Sequence, residues 1–436
     1  MSDVKKTDRF KEFDEDLIDK ELQARPRETR ARERRETEKK VYTIAAACLG
    51  VLLVTVLLFV RIVTRPAPAE EAAQASVSED TLMRIAETPM VLAATVKEVR
   101  AGAEDTILET TIDNVLRSMT IEDKVAGLFI VTPEQLTGVE AVTGFGDATK
   151  NALATHPVGG IVYSEKNLKT KDQVKEMLGG VQGAAKYPVF LAINENGEKR
   201  SAAAKALGEE VMPSGSAVTS AEDARAAGET VGAYLSLNGF NMNLSPVANL
   251  LNGTNEDPLS GFAYSTDPSV CADLTVAFSS GLQATNTSAC AKYFPAYGEE
   301  ITKTKEEMYG NELDAFRAAI EADVDAIMAG NIVASGISGT QEPACLSPAV
   351  VTGLLREEMG YQGIVVTDAL NMEVVTKDYD AKGVVIAALD AGCDMFLTPL
   401  DFNASYEGLL EAVAEGEVSE ERIDASLRRI YRVKYR

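Results

Sequence analysis

A chain of 436 residues is too long for one small domain and long enough for a complete barrel with additional segments. Its 67 acidic and 43 basic residues give a formal net charge of −24, which argues against nucleic acid or anionic lipid as a ligand of the main domain. Trp is absent, so any platform for stacking a sugar must come from Tyr or Phe.

The first 40 residues are charged, lack apolar periodicity and read as a cytoplasmic tail. Residues 41–63 follow as a transmembrane helix: Val41 to Val60 carries no charge, and roughly 20 apolar residues at 1.5 Å rise cross a ~30 Å hydrocarbon core. The run starts too far into the chain for a cleaved signal peptide. Arg25, Arg27, Arg30, Arg32, Arg34, Arg35, Lys39 and Lys40 precede it, whereas only Arg61 and Arg65 follow closely. The positive-inside rule then places the N-terminus in the cytoplasm and the large domain outside, at the cell membrane. Residues 64–104, opening on Arg65-Pro66-Ala67-Pro68, read as a linker or stalk.

From residue 105 to 436, β-rich runs alternate with helical patterns, which predicts repeated βα units and an α/β fold of the (β/α)8 TIM-barrel class. The predicted strands are Gly127–Val131, Gly160–Tyr163, Val189–Asn194, Met242–Pro246, Ala289–Phe294, Ala326–Ala329, Gly363–Thr367 and Met395–Thr398. Several are continuous apolar runs, as expected for strands buried on both faces. Helices are predicted over Glu222–Leu237, Lys305–Ala322 and Ser419–Arg432, the last with Ser419 as N-cap and Glu420 and Glu421 in its first turn. Cys271, Cys290, Cys345 and Cys393 sit in apolar stretches and read as buried free thiols. No spacing suits a metal site and no phosphate loop appears, so no metal and no cofactor is implied.

In a TIM barrel, chemistry gathers at the C-terminal strand ends. The polar residues there are Asn194, Asn249, Lys292, Tyr293, Asn331 and Asp368. Asp368 follows Gly363-Ile364-Val365-Val366-Thr367 and so presents a carboxylate at a strand tip; an N-cap of the next helix is the alternative reading. His156, the single histidine, precedes the second strand and falls on the opposite, stabilising end.

These residues resemble glycoside hydrolase family 3, in its single-domain β-N-acetylhexosaminidase branch. Lys292-Tyr293-Phe294-Pro295-Ala296-Tyr297-Gly298 is similar to the Lys-His-Phe-Pro-Gly-His-Gly motif, and Gly360 to Met372 is similar to the nucleophile strand. Met119 to Phe129 and Asn241 to Val247 extend the resemblance, which covers about residues 110–436. It implies a retaining glycosidase in which Asp368 is the nucleophile and Lys292, Tyr293, Asn194, Asn249 and Asn331 contact the sugar. The implied partner is carbohydrate, such as peptidoglycan fragments. The family's acid/base His is missing. The loop after the fifth strand offers Glu299 and Glu300 as substitutes, provided that one has a raised pKa. Asn194-Glu195-Asn196-Gly197-Glu198-Lys199 stands where the family has Asp-Gln-Glu-Gly-Gly-Arg, Asn249 replaces an Asp, and Asn331 a His. Two readings follow: a working cell-surface hexosaminidase, or a catalytically inactive barrel that binds glycan or a protein partner at the cell envelope.

Overall fold

The computed structural model describes residues 105–436 except Lys199 and Asn255. The expected tail, membrane span and linker lie outside the described residues, and no described helix is long and apolar enough to cross a membrane.

Eight strands form one parallel sheet: β1 (Phe129–Val131), β2 (Gly160–Val162), β3 (Phe190–Ile193), β4 (Met242–Asn243), β5 (Ser288–Phe294), β6 (Ala326–Ala329), β7 (Ile364–Thr367) and β8 (Phe396–Leu397). Each of β1 to β7 pairs with the next in parallel except that β7 meets β8 only through a bridge, Val366 to Met395, while β8 pairs with β1. Hydrogen bonds from Thr367 N–H to Met395 O and from Asp394 N–H to Val365 O carry that last seam. The sheet thereby returns on itself as a (β/α)8 barrel. All eight expected strands are found: Ala326–Ala329 keeps its bounds, the fifth gains Ser288, and the other six are shortened at their ends. β4 and β8 keep two residues each, because the following backbone turns outward into loops.

The strands form because short β-branched runs are buried on both faces, between the interior and the outer helices: every residue of β1, β3, β6 and β7 is buried. The helices start where the sequence supplies caps. Thr120 and Asp123 form a capping box before Ile121–Ala126, Asp267 caps Pro268–Gln283, and the Ser419 side chain accepts from Arg422 N–H. The helix expected over Lys305–Ala322 is instead two, Lys305–Met308 and Asp314–Glu321. Gly310 between them has φ +79°, a left-handed conformation that ends a helical run.

The end opposite the strand tips is tied by a buried ion network. Asp394, fully buried just before β8, accepts from Arg356, from Arg429 at 3.0 Å, from Ser426 at 2.8 Å and from the Val365 N–H at 2.9 Å. His156 lies on this side, ahead of β2, edge-on to Tyr406 at 4.8 Å and to Phe402 at 5.4 Å. Burial lowers its pKa, so the ring is held neutral as a packing element. Cys271, Cys290, Cys345 and Cys393 are buried free thiols.

Candidate active site

The strand tips surround Lys292. It lies on β5, whose register against β6 slips between Lys292 and Phe294, a bulge that re-aims side chains at the mouth. Only 1% of Lys292 is exposed, and its Nζ donates to Asn194 Oδ1 at 2.9 Å. That acceptor is a neutral carboxamide, and the charge of Arg200 lies close by. Burial first, and the Arg200 charge second, push the Lys292 amine down to about 7.

Asp368 stands across the mouth, directly after β7. The next helix begins only at Glu373, with Met372 at its N-cap position, so the N-cap reading of Asp368 does not hold. One carboxylate oxygen accepts from Ala369 N–H at 2.8 Å. Burial raises the Asp368 pKa; the Ala369 N–H, the charges of Lys292 and Arg200 and the Asn331 N–H oppose that rise. A half-buried carboxylate between two cations, kept reactive by partial desolvation, is suited to attack carbon. Asp368 shares the wall of a 600 Å³ cavity with Tyr293, Tyr297, Glu299, Glu300 and Asn331.

Three asparagines have a task that the sequence did not disclose. Asn249, expected as a sugar contact, is buried; its Nδ2 donates to Tyr293 O at 2.9 Å and its Oδ1 accepts from Tyr293 N–H at 2.7 Å. Asn243 clamps the backbone of Glu195 in the same way, at 2.9 Å on both sides. Asn241 does so across β3, accepting from Leu191 N–H at 2.7 Å and donating to Val189 O at 3.0 Å. Each carboxamide joins neighbouring strand ends through one donor and one acceptor, which an ionised Asp cannot do. Asn331 is likewise drawn inward: its amide donates to Ala369 O at 2.8 Å and accepts from Cys345 Sγ at 3.1 Å. Asn249 and Asn331 therefore hold neighbouring backbone at the mouth, and Asn331 also lines the cavity.

Tyr293 is half-buried on the cavity wall with its ring 5.3 Å from Tyr297, and together they offer the aromatic face that Trp would otherwise supply. Its hydroxyl accepts from Arg200, while burial and the Asp368 charge push its pKa up to about 12. Of the two loop glutamates, Glu300 accepts from Ser335 Oγ at 2.6 Å and from Gln341 Nε2 at 3.3 Å. These bonds lower its pKa, the reverse of what a general acid requires, so Glu300 does not fit the expected role of substitute acid. Glu299 lines the same cavity with an exposed side chain.

Arg200 was not among the residues expected at the site. It stands one place after Lys199, which occupies the motif position of the family's Arg. Its guanidinium lies 4.9 Å from the centroid of Phe262, a cation–π contact. The signal in the sequence was present: it is the first arginine after β3, on a glycine-containing loop whose register is free to slide by one.

Residues 120–433 match the glycosyl hydrolase family 3 N terminal domain. A β-hexosaminidase of Xanthomonas oryzae pv. oryzae is 29% identical over 281 residues, covering 60% of this chain and 82% of that protein. Among solved structures, a family 3 β-N-acetylglucosaminidase from Paenibacillus sp. superposes with a TM-score of 0.67 at 29% identity. The superposition covers 73% of this chain and 62% of that one, so the chain spans under two thirds of that relative. A family 3 glycosyl hydrolase from Mycobacterium smegmatis gives a TM-score of 0.64 at 26% identity over 73% of this chain and 98% of that one.

Proposed function

This chain belongs to glycosyl hydrolase family 3, and on that premise we propose that it is a β-N-acetylhexosaminidase-like glycosidase that acts by retention, with Asp368 as nucleophile. The observation that carries this reading is Asp368 itself, a desolvated carboxylate held at the β7 tip between Lys292 and Arg200 on the wall of a sugar-sized cavity. In this mechanism Asp368 attacks the anomeric carbon as the glycosidic C–O bond breaks, giving a covalent glycosyl ester. The charges of Lys292 and Arg200 oppose the rise that burial gives the Asp368 pKa, and the Lys292–Asn194 pair is assigned to a ring hydroxyl. Tyr293 and Tyr297 provide the stacking wall. Glu299 is the loop carboxylate assigned to protonate the leaving oxygen and then to take a proton from the water that hydrolyses the ester.

The test is covalent trapping. A 5-fluoro N-acetylglucosaminyl fluoride slows breakdown of the ester, so mass spectrometry should find one sugar on the peptide that carries Asp368. Labelling at another carboxylate would reject the assignment. The second reading, an inactive glycan-binding barrel, draws on Glu300, which its hydrogen bonds hold as an anion, and on the position of His156 at the far end. Under that reading the same reagent leaves no adduct.

The cellular setting belongs to the proposal as well. The uncharged run Val41 to Val60 and its basic N-terminal flank support a single-pass anchor with the barrel outside the cell, facing cell-wall glycans. Protease added to intact cells should then digest the barrel and spare the first 40 residues.

A further inference from the structure

The loop after β3 carries two of the groups around the site: Asn194, which accepts from Lys292 Nζ at 2.9 Å, and Arg200, which donates to the Tyr293 hydroxyl and whose charge acts on Asp368. Between them the chain makes a tight turn. Asn196 N–H donates to Arg200 O at 2.8 Å, Arg200 N–H donates to Gly197 O at 2.9 Å, and Gly197 has φ +76°. Hydrogen bonds within a turn set its shape and leave its direction free. The direction is set by Glu195, a carboxylate with 2% exposure. Asn243 fixes its backbone to β4. One carboxylate oxygen accepts from Ala203 N–H at 2.9 Å and the other from Ala204 N–H at 3.3 Å, at the start of the helix Ala202–Leu207. The buried Tyr234 hydroxyl, on Ala221–Leu237, faces the same carboxylate.

A buried carboxylate is costly to keep charged, and burial pushes Glu195 up to about 7 against the pull of both N–H groups. What it gives in return is closure. One side chain ties the residue before the turn to the residues after it, so that 196–202 leaves and rejoins the barrel at fixed points. Glu195 stands behind the cavity wall formed by Asn194, Arg200, Ser201 and Ala202, and so acts through them. We infer that Glu195 is a positioning residue of the reaction, which closes the β3 loop and thereby holds Asn194 against Lys292 and the Arg200 guanidinium near Asp368. This rests on the reading of Asp368 as nucleophile. Opening the clasp lets Arg200 move off, and with that cation farther away the Asp368 pKa rises again. A displacement of about 1 Å at a reacting centre costs ~10²-fold in rate.

The experiment follows kcat/KM against pH for an aryl β-N-acetylglucosaminide with the full-length protein, Glu195→Ala, Glu195→Gln, Arg200→Gln and the double variant of Glu195→Ala with Arg200→Gln. Hydrogen exchange of the 195–204 amides is measured alongside. Glu195→Ala should lower kcat/KM about 10²-fold and move its acid limb to higher pH, as Arg200→Gln does. Glu195→Gln keeps an oxygen for Ala203 N–H and should recover most of the rate. The double variant should match Glu195→Ala within about twofold, because both changes remove the same placement. Losses that multiply in the double variant, or an acid limb unmoved in Glu195→Ala, would overturn the inference. Exchange in Glu195→Ala should quicken in the loop and stay slow in the strands; quickening throughout the barrel marks a general loss of stability and overturns it too. Without turnover by the wild type the glycosidase reading fails, and loop exchange alone decides: quickening confined to the loop upholds the clasp, and none rejects it.

Discussion

Replacing Lys292 with Met should stabilise the protein while removing its activity. An amine moved from its ordinary 10.5 to about 7 carries a charging cost of about 5 kcal/mol in the folded state. The sign follows from proton linkage. The folded pKa lies below the unfolded one, so the penalty is complete below pH 7 and disappears as pH rises towards 10.5, where the unfolded state has also released its proton. Against this gain stands the loss of the Nζ hydrogen bond to the half-buried Asn194, about 1–3 kcal/mol for a charged donor. Asp368 also loses a neighbouring cation, and its pKa rises further. A net stabilisation of roughly 2 kcal/mol at pH 6 follows, and it turns into a net destabilisation of about 1 kcal/mol or more near pH 10, where the charging cost is nearly gone and the lost hydrogen bond remains. Denaturant melts of wild type and Lys292→Met at both pH values measure it. A variant less stable at pH 6, or a difference that does not change with pH, would refute the reasoning. Methionine fills the same channel with a flexible apolar chain, so the comparison is not dominated by a cavity.

Asn249→Asp, which introduces the acid that the family resemblance implies at this position, should lose about 1–3 kcal/mol and activity together, because a carboxylate would face Tyr293 O with no proton to give; urea melts and kcat/KM check both. Asp394→Asn should cost about 3–5 kcal/mol by stranding Arg356 and Arg429 beside a neutral group, while kcat per folded molecule stays near wild type, since this network lies at the far end of the barrel. Glu300→Gln should change kcat/KM less than about twofold, as expected of a group that is not the general acid, whose loss costs ~10²-fold or more. If hydrolysis requires Asp368 ionised and Lys292 charged, kcat/KM should rise along an acid limb above the ordinary 3.8 of an aspartate and fall along an alkaline limb near 7; a profile flat from pH 6 to 9 would contradict it.

The barrel was legible because its strands are short apolar runs buried on both faces, and such runs leave few alternatives. Ala326–Ala329 is found at its expected bounds, the fifth strand gains Ser288, and the other strands lose only residues at their ends. The break at Gly310 was harder to see, since one glycine in a charged helical pattern is often tolerated. The strand-end placement of Asp368 and Lys292 was readable in the sequence. The backbone bonds of Asn249 and Asn331 were not legible, because a carboxamide at a strand tip reads the same whether it faces a ligand or a neighbouring backbone. Arg200 went unseen because it stands one place beyond the motif position, which Lys199 occupies.

The most direct test of the central claim is turnover of an aryl β-N-acetylglucosaminide by the full-length protein and by its Asp368→Asn variant. The account predicts release of the aryl alcohol by wild type and a fall of at least about 10³-fold in the variant, the loss expected when a covalent nucleophile is removed. Equal rates in the two proteins would contradict it.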